Sequence, residues 1–170
     1  PPAKSHQLWR HPVDILDDDQ VTKETMLDAD LFEDWLDAHP VEGIARHFYS
    51  CTHTTFSPNV VESSRRMKTN VIPDQLDINV DIRTLPGEST AEVQAHLDQA
   101  LGDLAGQVDI EIIMNDPASI SQMDNPMWDT IQKAVNQPFP SARLSPQLIV
   151  GFTDARVYRN LGSVAYGAGL

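Results

Sequence analysis

Residues 75–83 alternate strictly between polar and apolar side chains, and this alternation constrains the fold more than any other feature of the sequence. Successive side chains of a β-strand point to opposite faces of a sheet, so a period of two predicts a strand with one buried face. The apolar set is Leu76, Ile78, Val80 and Ile82, and the polar set is Gln75, Asp77, Asn79, Asp81 and Arg83. We therefore predict a half-buried strand whose polar face carries Arg83.

A helix is predicted directly after this strand. Residues 85–87 (LPG) form a turn, and Ser89 with Glu92 three positions later makes a capping box, the pair that begins many helices. An apolar stripe at helical spacing follows, and Gly102 predicts the end of the helix.

Two further strands flank this unit. Residues 47–56 are dense in aromatic and β-branched side chains, which suit a pleated surface, and Ser57-Pro58-Asn59 predicts the end of that run. Residues 108–114 alternate again. The order strand, strand, helix, strand is that of a partial ferredoxin-like β-α-β-β-α-β unit, an α+β arrangement.

Residues 1–45 differ in charge from the remainder. Between Asp14 and Glu42 there are eleven acidic residues and one basic residue, Lys23. Apolar residues at helical spacing predict a short amphipathic helix over 28–38, which the following His39-Pro40 should end. We interpret the segment as an acidic, solvated insertion.

Residues 115–170 have the pattern of an α/β domain. A linker over 115–123 precedes a helix that begins at Asn125-Pro126. A buried strand over 148–150 then turns through 151–154 into another helix, and residues 164–166 predict a last strand. We expect the chain to be a fragment of a larger protein.

Composition excludes several classes of function. Twelve basic against 25 acidic residues give a net charge of −13, which argues against nucleic acid or an anionic membrane as a partner. The single cysteine, Cys51, excludes an internal disulfide, and the six histidines form no zinc-binding motif. We therefore predict no catalytic residue and no metal ligand within this chain.

Three short segments remain as candidates for chemistry, and each has an ordinary structural explanation. Residues 68–74 (KTNVIPD) suit a turn before a strand. In residues 80–87 (VDIRTLPG), Arg83 would serve equally as a surface residue paired with Asp81. In residues 151–156 (GFTDAR), Thr153 or Asp154 would cap a helix.

Taken together and in this order, the three segments resemble the aminoacylase, glutamate carboxypeptidase and succinyl-diaminopimelate desuccinylase family of dinuclear-zinc peptidases. The resemblance runs from about His47 to Leu170. It implies that residues 1–114 are the remainder of a lid that dimerises, with the acidic insertion at 1–45. It also implies that residues 115–170 are a C-terminal part of the α/β catalytic domain.

The resemblance further assigns roles to individual residues. It implies that Asn70, Arg83, Gly151 and Thr153 bind substrate, and that Asp154 and Arg156 form the structural turn and cap. It places the zinc ligands outside this chain, and it implies that Asn70 and Arg83 act on the active site of the partner in a homodimer.

The function so implied is zinc-dependent hydrolysis of the amide bond in N-acyl amino acids or short peptides that carry a free carboxylate. The fragment alone would be inactive, and a cytoplasmic location is the default expectation. The alternative is a non-catalytic module that serves in dimerisation or in binding a small ligand.

Overall fold

The computed structural model describes residues 1–16, 19–63 and 68–167. Four helices come first, followed by a two-stranded sheet and then by three further helices. The elements are α1 (Gln7–Ile15), α2 (Gln20–Leu27), α3 (Ala29–Ala38), α4 (Glu42–Thr52), β1 (Thr55–Glu62), β2 (Asp77–Arg83), α5 (Thr90–Leu101), a 3-10 helix (Gly102–Gln107), α6 (Pro126–Asn136) and α7 (Ala155–Asn160). The described part of the chain is thus mixed α and β. None of its helices is long and apolar enough to span a membrane.

The buried core lies among helices α1–α4. Trp9 of α1 contacts Phe32 of α3 and Phe48 of α4, with ring centroids 5.2 and 5.1 Å apart. The Trp9 indole N–H also donates to the carbonyl of Met26, at 2.8 Å. Such aromatic contacts combine a large buried apolar area with preferred ring geometries, so they fix how the helices pack.

Residues 1–45 are therefore not a merely solvated segment. The predicted helix over 28–38 is confirmed as α3, and Asp28 caps it by accepting from the N–H groups of Asp30 and Leu31. Its apolar side turns Phe32 and Leu36 into the core, while the aspartates of the helix are exposed. That the segment is an insertion relative to its family stays a prediction.

The predicted strand over 47–56 is wrong for most of its length. Residues up to Thr52 continue helix α4, and the chain becomes extended only at His53. Ala45, Phe48 and Cys51 recur at helical spacing and pack in or against the core. This packing outweighs the β-propensity of the segment, which is a context-dependent preference worth little in the absence of a partner strand.

The strand predicted over 75–83 is confirmed as β2, which pairs with β1 in antiparallel register from Thr55–Arg83 to Glu62–Asp77. The predicted break at residues 57–59 is instead a β-bulge within β1, between Pro58 and Val60. Proline has no N–H to donate to a neighbouring strand, and a bulge interrupts the regular pairing and bends the strand. Both are tolerated at the edge of a sheet, where β1 lies.

Each face of this sheet has its own character. Paired residues share a face, and one face carries only apolar side chains, namely Phe56, Pro58, Val61, Ile78, Val80 and Ile82. The other face is mainly polar and ends at Arg83. The apolar face is less buried than the sequence predicts, because Ile78 is 54% and Val80 39% exposed. Helix α5 reaches the sheet where His96 meets Phe56 edge-on, at 6.4 Å.

The capping box of α5 is confirmed. Ser89 accepts from the N–H of Glu92, and the Glu92 carboxylate accepts from the N–H of Ser89 at 2.8 Å. The helix ends at Gly102, whose φ of 53° lies in the region that glycine adopts without a steric penalty.

Three predicted strands do not form. Residues 108–114, 148–150 and 164–166 pair with no strand in the described part of the chain. Alternation specifies which side chains share a face, but a strand also requires a neighbour for its backbone hydrogen bonds. Of the predicted order of strand, strand, helix and strand, the described residues form β1, β2 and α5, and the ferredoxin-like arrangement stays a prediction.

The two helices predicted in the last third of the chain are confirmed. Asn125 caps α6 by accepting from the N–H groups of Met127 and Trp128 at 3.0 and 3.1 Å, and Pro126 is its first residue. Helix α7 begins at Ala155, as the 151–154 turn predicts. The division into 1–114 and 115–170 stays a prediction, and its last three residues lie outside those that the structure describes.

Candidate functional site

Arg83 lies at the end of β2, on the polar face of the sheet. Its Nη2 and Nε atoms donate to a single oxygen of Asp81, Oδ2, at 2.7 and 3.2 Å. The two side chains are 43% and 42% exposed. Strand alternation explains the pairing, because residues two apart share a face. The surface ion pair that the sequence allows is therefore present, and the guanidinium within it is still accessible to solvent.

Phe152 brings Arg83 next to the segment 151–156. The guanidinium carbon of Arg83 lies 5.7 Å from the centroid of the Phe152 ring, and that of Arg156 lies 4.0 Å from it. Both distances fall within the range of a cation–π contact. The second and third candidate segments, which are about seventy residues apart in sequence, therefore meet at one aromatic ring.

The segment 151–156 forms a turn that leads into α7. Thr153 Oγ1 accepts from the N–H of Ala155 at 3.3 Å, which is a cap of the predicted kind. The carboxylate of Asp154 makes no capping hydrogen bond and instead lies 3.8 Å from Nη1 of Arg156. At Gly151 an added Cβ would lie 3.8 Å from Ile149 Cγ2, an ordinary contact, so packing within the chain does not require glycine there.

Arg156 is the best-anchored cation of this cluster. Its Nε donates to Asp116, which lies just before Pro117 in the predicted linker. Both side chains are about three-quarters buried. Sequence reasoning missed Asp116 and gave no role to Phe152. No local pattern identifies Asp116, because its partner is forty residues away.

Asn70 lies in an exposed turn in which the N–H of Val71 donates to the carbonyl of Lys68 at 3.2 Å. Among the residues that the structure describes, no hydrogen bond, ion pair or ring contact joins Asn70 to Arg83 or to the 151–156 turn. The structure thus brings together Arg83, Thr153 and Arg156 around Phe152, and it leaves Asn70 apart from them.

Cys51 of α4 and His53, which follows the end of that helix, are both buried. His53 is fully buried, its Nε2 lies 2.6 Å from Glu33 Oε1, and its ring stacks on Tyr49 at 3.9 Å. Burial, with the charge of Glu33, raises the pKa of Tyr49. Burial also raises the pKa of the Cys51 thiol to about 11, which fits the predicted role of a small buried hydrophobe.

The described residues do not fit a zinc centre. A zinc site needs three or four convergent nitrogen, sulfur or oxygen ligands. Over residues 1–16, 19–63 and 68–167, no group of three or more His, Cys, Asp or Glu side chains could hold a metal ion. No chemical step is therefore assigned to a metal held by these residues.

Comparisons with known proteins identify the family. Residues 13–109 match the model of the peptidase dimerisation domain of the M20 family, which is more than half of the chain. The match includes Asn70 and Arg83 and begins well before residue 47. The turn at 151–156 lies outside it.

A curated relative and a structural search complete the comparison. The chain is 31% identical over 96 residues to the probable carboxypeptidase S-like 2 of Dictyostelium discoideum. The aligned part covers 55% of this chain and 18% of that protein. No solved structure matches. Through its dimerisation domain, the chain belongs to the M20 family of peptidases.

Proposed function

We propose that this chain is part of a metal-dependent amidohydrolase that cleaves N-acyl amino acids or short peptides bearing a free carboxylate. The family and the carboxypeptidase-like relative support a peptidase activity for the full-length protein. Since the chain spans about a fifth of the relative's length, the activity is proposed for the full-length protein and not for these residues alone. We also propose a cytoplasmic location.

The accessible guanidinium of Arg83 is the single observation that carries this proposal. Its Nε and Nη2 already hold one carboxylate, that of Asp81, at hydrogen-bond distance. A guanidinium offers carboxylates a planar fork of donors, and charge-assisted bonds of this kind are the strong ones. In the proposed enzyme the carboxylate of the substrate binds this same group.

The remaining predicted residues have supporting roles in the proposal. The amide of Asn70 donates to the substrate carboxylate or to the scissile carbonyl oxygen. Gly151 allows close approach of the substrate to the backbone, and Thr153 hydrogen-bonds it. Zinc would be held by residues outside this chain, and it would supply polarisation of the scissile carbonyl.

We further propose a homodimer formed through the lid, as the match to a dimerisation domain supports. The resemblance to the family suggests that Asn70 and Arg83 of one subunit then serve the active site of the other.

The test is hydrolysis of a panel of N-acyl amino acids by the full-length protein, each compared with its carboxamide. Arg83→Lys should lower kcat/KM for the acids, with a loss of transition-state stabilisation of about 2–4 kcal/mol, because an ammonium cannot reproduce the guanidinium fork. The carboxamides should lose much less. Equal losses in kcat/KM for the acids and the carboxamides would show that Arg83 does not bind the substrate carboxylate and is only part of a surface ion pair.

Arg46→Lys provides a matched control. Arg46 is an exposed arginine paired with Glu42 on α4, away from the predicted site. Removing such a surface pair costs about 0–1 kcal/mol of stability. Its variant should leave the kinetics of both substrate series unchanged.

The match to a dimerisation domain also supports a second candidate, a non-catalytic module for dimerisation or small-ligand binding. A full-length protein that dimerises but hydrolyses no member of the panel, with zinc supplied, would support that candidate.

A further inference from the structure

Asp81 holds the guanidinium of Arg83 by one of its two hydrogen-bonding edges. A guanidinium offers two pairs of parallel donors, one formed by Nε and Nη2 and the other by Nη1 and Nη2. Asp81 Oδ2 accepts from Nε at 3.2 Å and from Nη2 at 2.7 Å, so it occupies the first edge. In the described part of the chain no hydrogen bond engages Nη1, and the second edge is therefore open.

The backbone of the sheet places these two side chains next to each other. Both belong to β2, and residues two apart on a strand share a face. The antiparallel register sets Ser57 opposite Asp81 and Thr55 opposite Arg83, so the neighbours across the sheet are neutral hydroxyl side chains. Asp77, the other acid on this face of β2, lies at the far end of the strand. Asp81 is therefore the carboxylate that governs where the guanidinium points.

The pair between Asp81 and Arg83 matters more for binding a ligand than for stability. An arginine side chain has several rotatable bonds, and fixing them when a ligand binds costs free energy. The pair with Asp81 fixes the guanidinium in the free protein, so less of that cost remains when the ligand arrives. An ion pair between two side chains that are 43% and 42% exposed contributes little to folding. Its effect should therefore appear in substrate binding and not in unfolding.

We propose that Asp81 is a positioning residue, which holds Arg83 by Nε and Nη2 so that Nη1 and Nη2 receive the substrate carboxylate. The proposal rests on the proposed function, in which Arg83 of one subunit binds that carboxylate in the active site of the other. Since Asp81 and Arg83 lie on the same strand, the pair stays together when the end of β2 is presented to the partner. Asp81 touches no reacting atom, so its removal should weaken substrate binding and leave the chemical step nearly unchanged.

The kinetic test uses the full-length protein with the N-acyl amino acids of the panel and their carboxamides. Asp81→Ala removes the acceptor, and we expect KM for the acids to rise about threefold to tenfold with kcat within about twofold, the cost of ordering one long side chain on binding. Asp81→Asn removes the charge but keeps an acceptor oxygen, so it should restore KM to within about twofold of the wild type. KM for the carboxamides should change by less than about twofold in both variants.

Asp77→Ala is the matched control, because it removes the same charge from the same face of β2. Asp77 accepts from the side-chain amide of Gln75, at 3.1 Å, and not from Arg83. Its kinetics should match those of the wild type. An equal rise in KM for Asp77→Ala would reduce the effect to the net charge of the strand and overturn the proposal. A lower KM for the acids in Asp81→Ala would also overturn it, because Asp81 would then compete with the substrate for Arg83.

A crystal structure tests which edge of the guanidinium the substrate uses. The full-length protein is treated with a chelator, so that hydrolysis stops, and is soaked with the N-acyl amino acid of lowest KM. We expect the substrate carboxylate to contact Nη1 and Nη2 of Arg83, with Asp81 still accepting from Nε. A substrate carboxylate that has displaced Asp81 from Nε would overturn the proposal.

The outcomes distinguish this proposal from the proposed function. If Arg83→Lys impairs the acids selectively and Asp81→Ala leaves their KM unchanged, the role of Asp81 is wrong and the proposed function stands. If Arg83→Lys affects acids and carboxamides equally, the proposed function fails, and the role of Asp81 fails with it. Selective losses for the acids in Arg83→Lys and Asp81→Ala, with Asp81→Asn close to the wild type, support both proposals.

Discussion

At the scale of single residues, the most constrained charge in the described chain is Glu88, next to the turn between β2 and α5. Its side chain is only 3% exposed. The carboxylate accepts from Lys4 Nζ at 2.6 Å, from the N–H of Leu85 at 3.2 Å and from the hydroxyl of Thr54. Since Lys4 lies near the N-terminus and Thr54 just before β1, one side chain joins three parts of the chain. Buried carboxylates are tolerated when their hydrogen bonds are satisfied in this way.

Removal of this carboxylate should destabilise the protein. Glu88→Ala leaves the buried Thr54 hydroxyl without its acceptor and leaves the N–H of Leu85 only its bond to Thr54 Oγ1, at 3.3 Å. We expect the free energy of unfolding to fall by about 2–3 kcal/mol. Lys4→Met leaves the carboxylate its two other partners and should cost less. Urea unfolding at pH 7 measures both, and an equal loss in the two variants would contradict this account.

The ion pair between Lys4 and Glu88 predicts that the free energy of unfolding depends on pH. The hydrogen bond to Glu88 raises the pKa of Lys4 above its usual value of 10.5, against the opposing effect of burial. A raised pKa means that the contribution of Lys4 to stability is complete below pH 10.5 and is lost as the pH rises through the folded-state value. The difference between the wild type and Lys4→Met should therefore shrink above that pH.

At the scale of elements, α4 and α5 differ in what determines them. Helix α5 is specified locally, by its capping box and its terminal glycine. Helix α4 has no side-chain cap, and its sequence favours a strand. It is helical because Phe48 and Cys51 pack with Trp9 and Phe32 of other helices. Local signals therefore predict α5 but not α4.

The cap of α5 can be tested by Ser89→Ala, which removes the hydroxyl that accepts from the N–H of Glu92. We expect a loss of about 1 kcal/mol in the free energy of unfolding at pH 7. Gln99→Ala, at an exposed position within the same helix, is the matched control and should change it very little. Chemical denaturation followed by circular dichroism gives both values.

At acid pH the difference in the free energy of unfolding between the wild type and Ser89→Ala should become smaller. The backbone hydrogen bond from Ser89 lowers the pKa of Glu92, with the Ser89 hydroxyl and Lys4 adding to the effect. A lowered pKa means that the contribution of Glu92 is present above pH 4.5 and is lost as the pH falls through the folded-state value. If the wild type and Ser89→Ala differed as much at pH 3 as at pH 7, the hydrogen bond from the Ser89 hydroxyl to the Glu92 carboxylate would contribute nothing to the effect.

At the scale of the whole molecule, the buried core and the exposed apolar surface lie in different parts of the chain. The core is among α1–α4, whereas the two-stranded sheet presents an apolar face made by Phe56, Pro58, Val61, Ile78, Val80 and Ile82. Two strands alone rarely form a stable sheet in water, and exposed strand edges invite pairing with another chain. The sheet lies within the part that matches a dimerisation domain.

Self-association through the apolar face of the sheet can be tested with two variants at neighbouring positions. Val80→Glu places a charge on the apolar face, and Asn79→Glu places the same charge on the polar face one residue away. We expect the wild type and Asn79→Glu to self-associate, and Val80→Glu to do so much more weakly. Sedimentation velocity over a range of concentrations measures this, and a monomeric wild type at all concentrations would contradict it.

The sequence alone determined the elements whose signals are local. Strand β2 follows from alternation, α3 from apolar spacing, α6 from the Asn125-Pro126 start signal, and α5 from its capping box. The same reasoning identified Arg83 and the 151–156 turn as candidates, because residue type and order are properties of the sequence. These elements could be predicted because the groups that stabilise them are within a few residues of one another.

Only the tertiary structure decided the features that depend on distant partners. Helix α4 formed where a strand was predicted, because the core offers its Phe48 side chain aromatic contacts. Residues 108–114 alternate as a strand would, yet they lack a neighbour in the described chain. The contact of Phe152 with Arg83 and the pair between Arg156 and Asp116 join positions forty to seventy residues apart. A sequence pattern records which side chains share a face, but folding decides which of them meet.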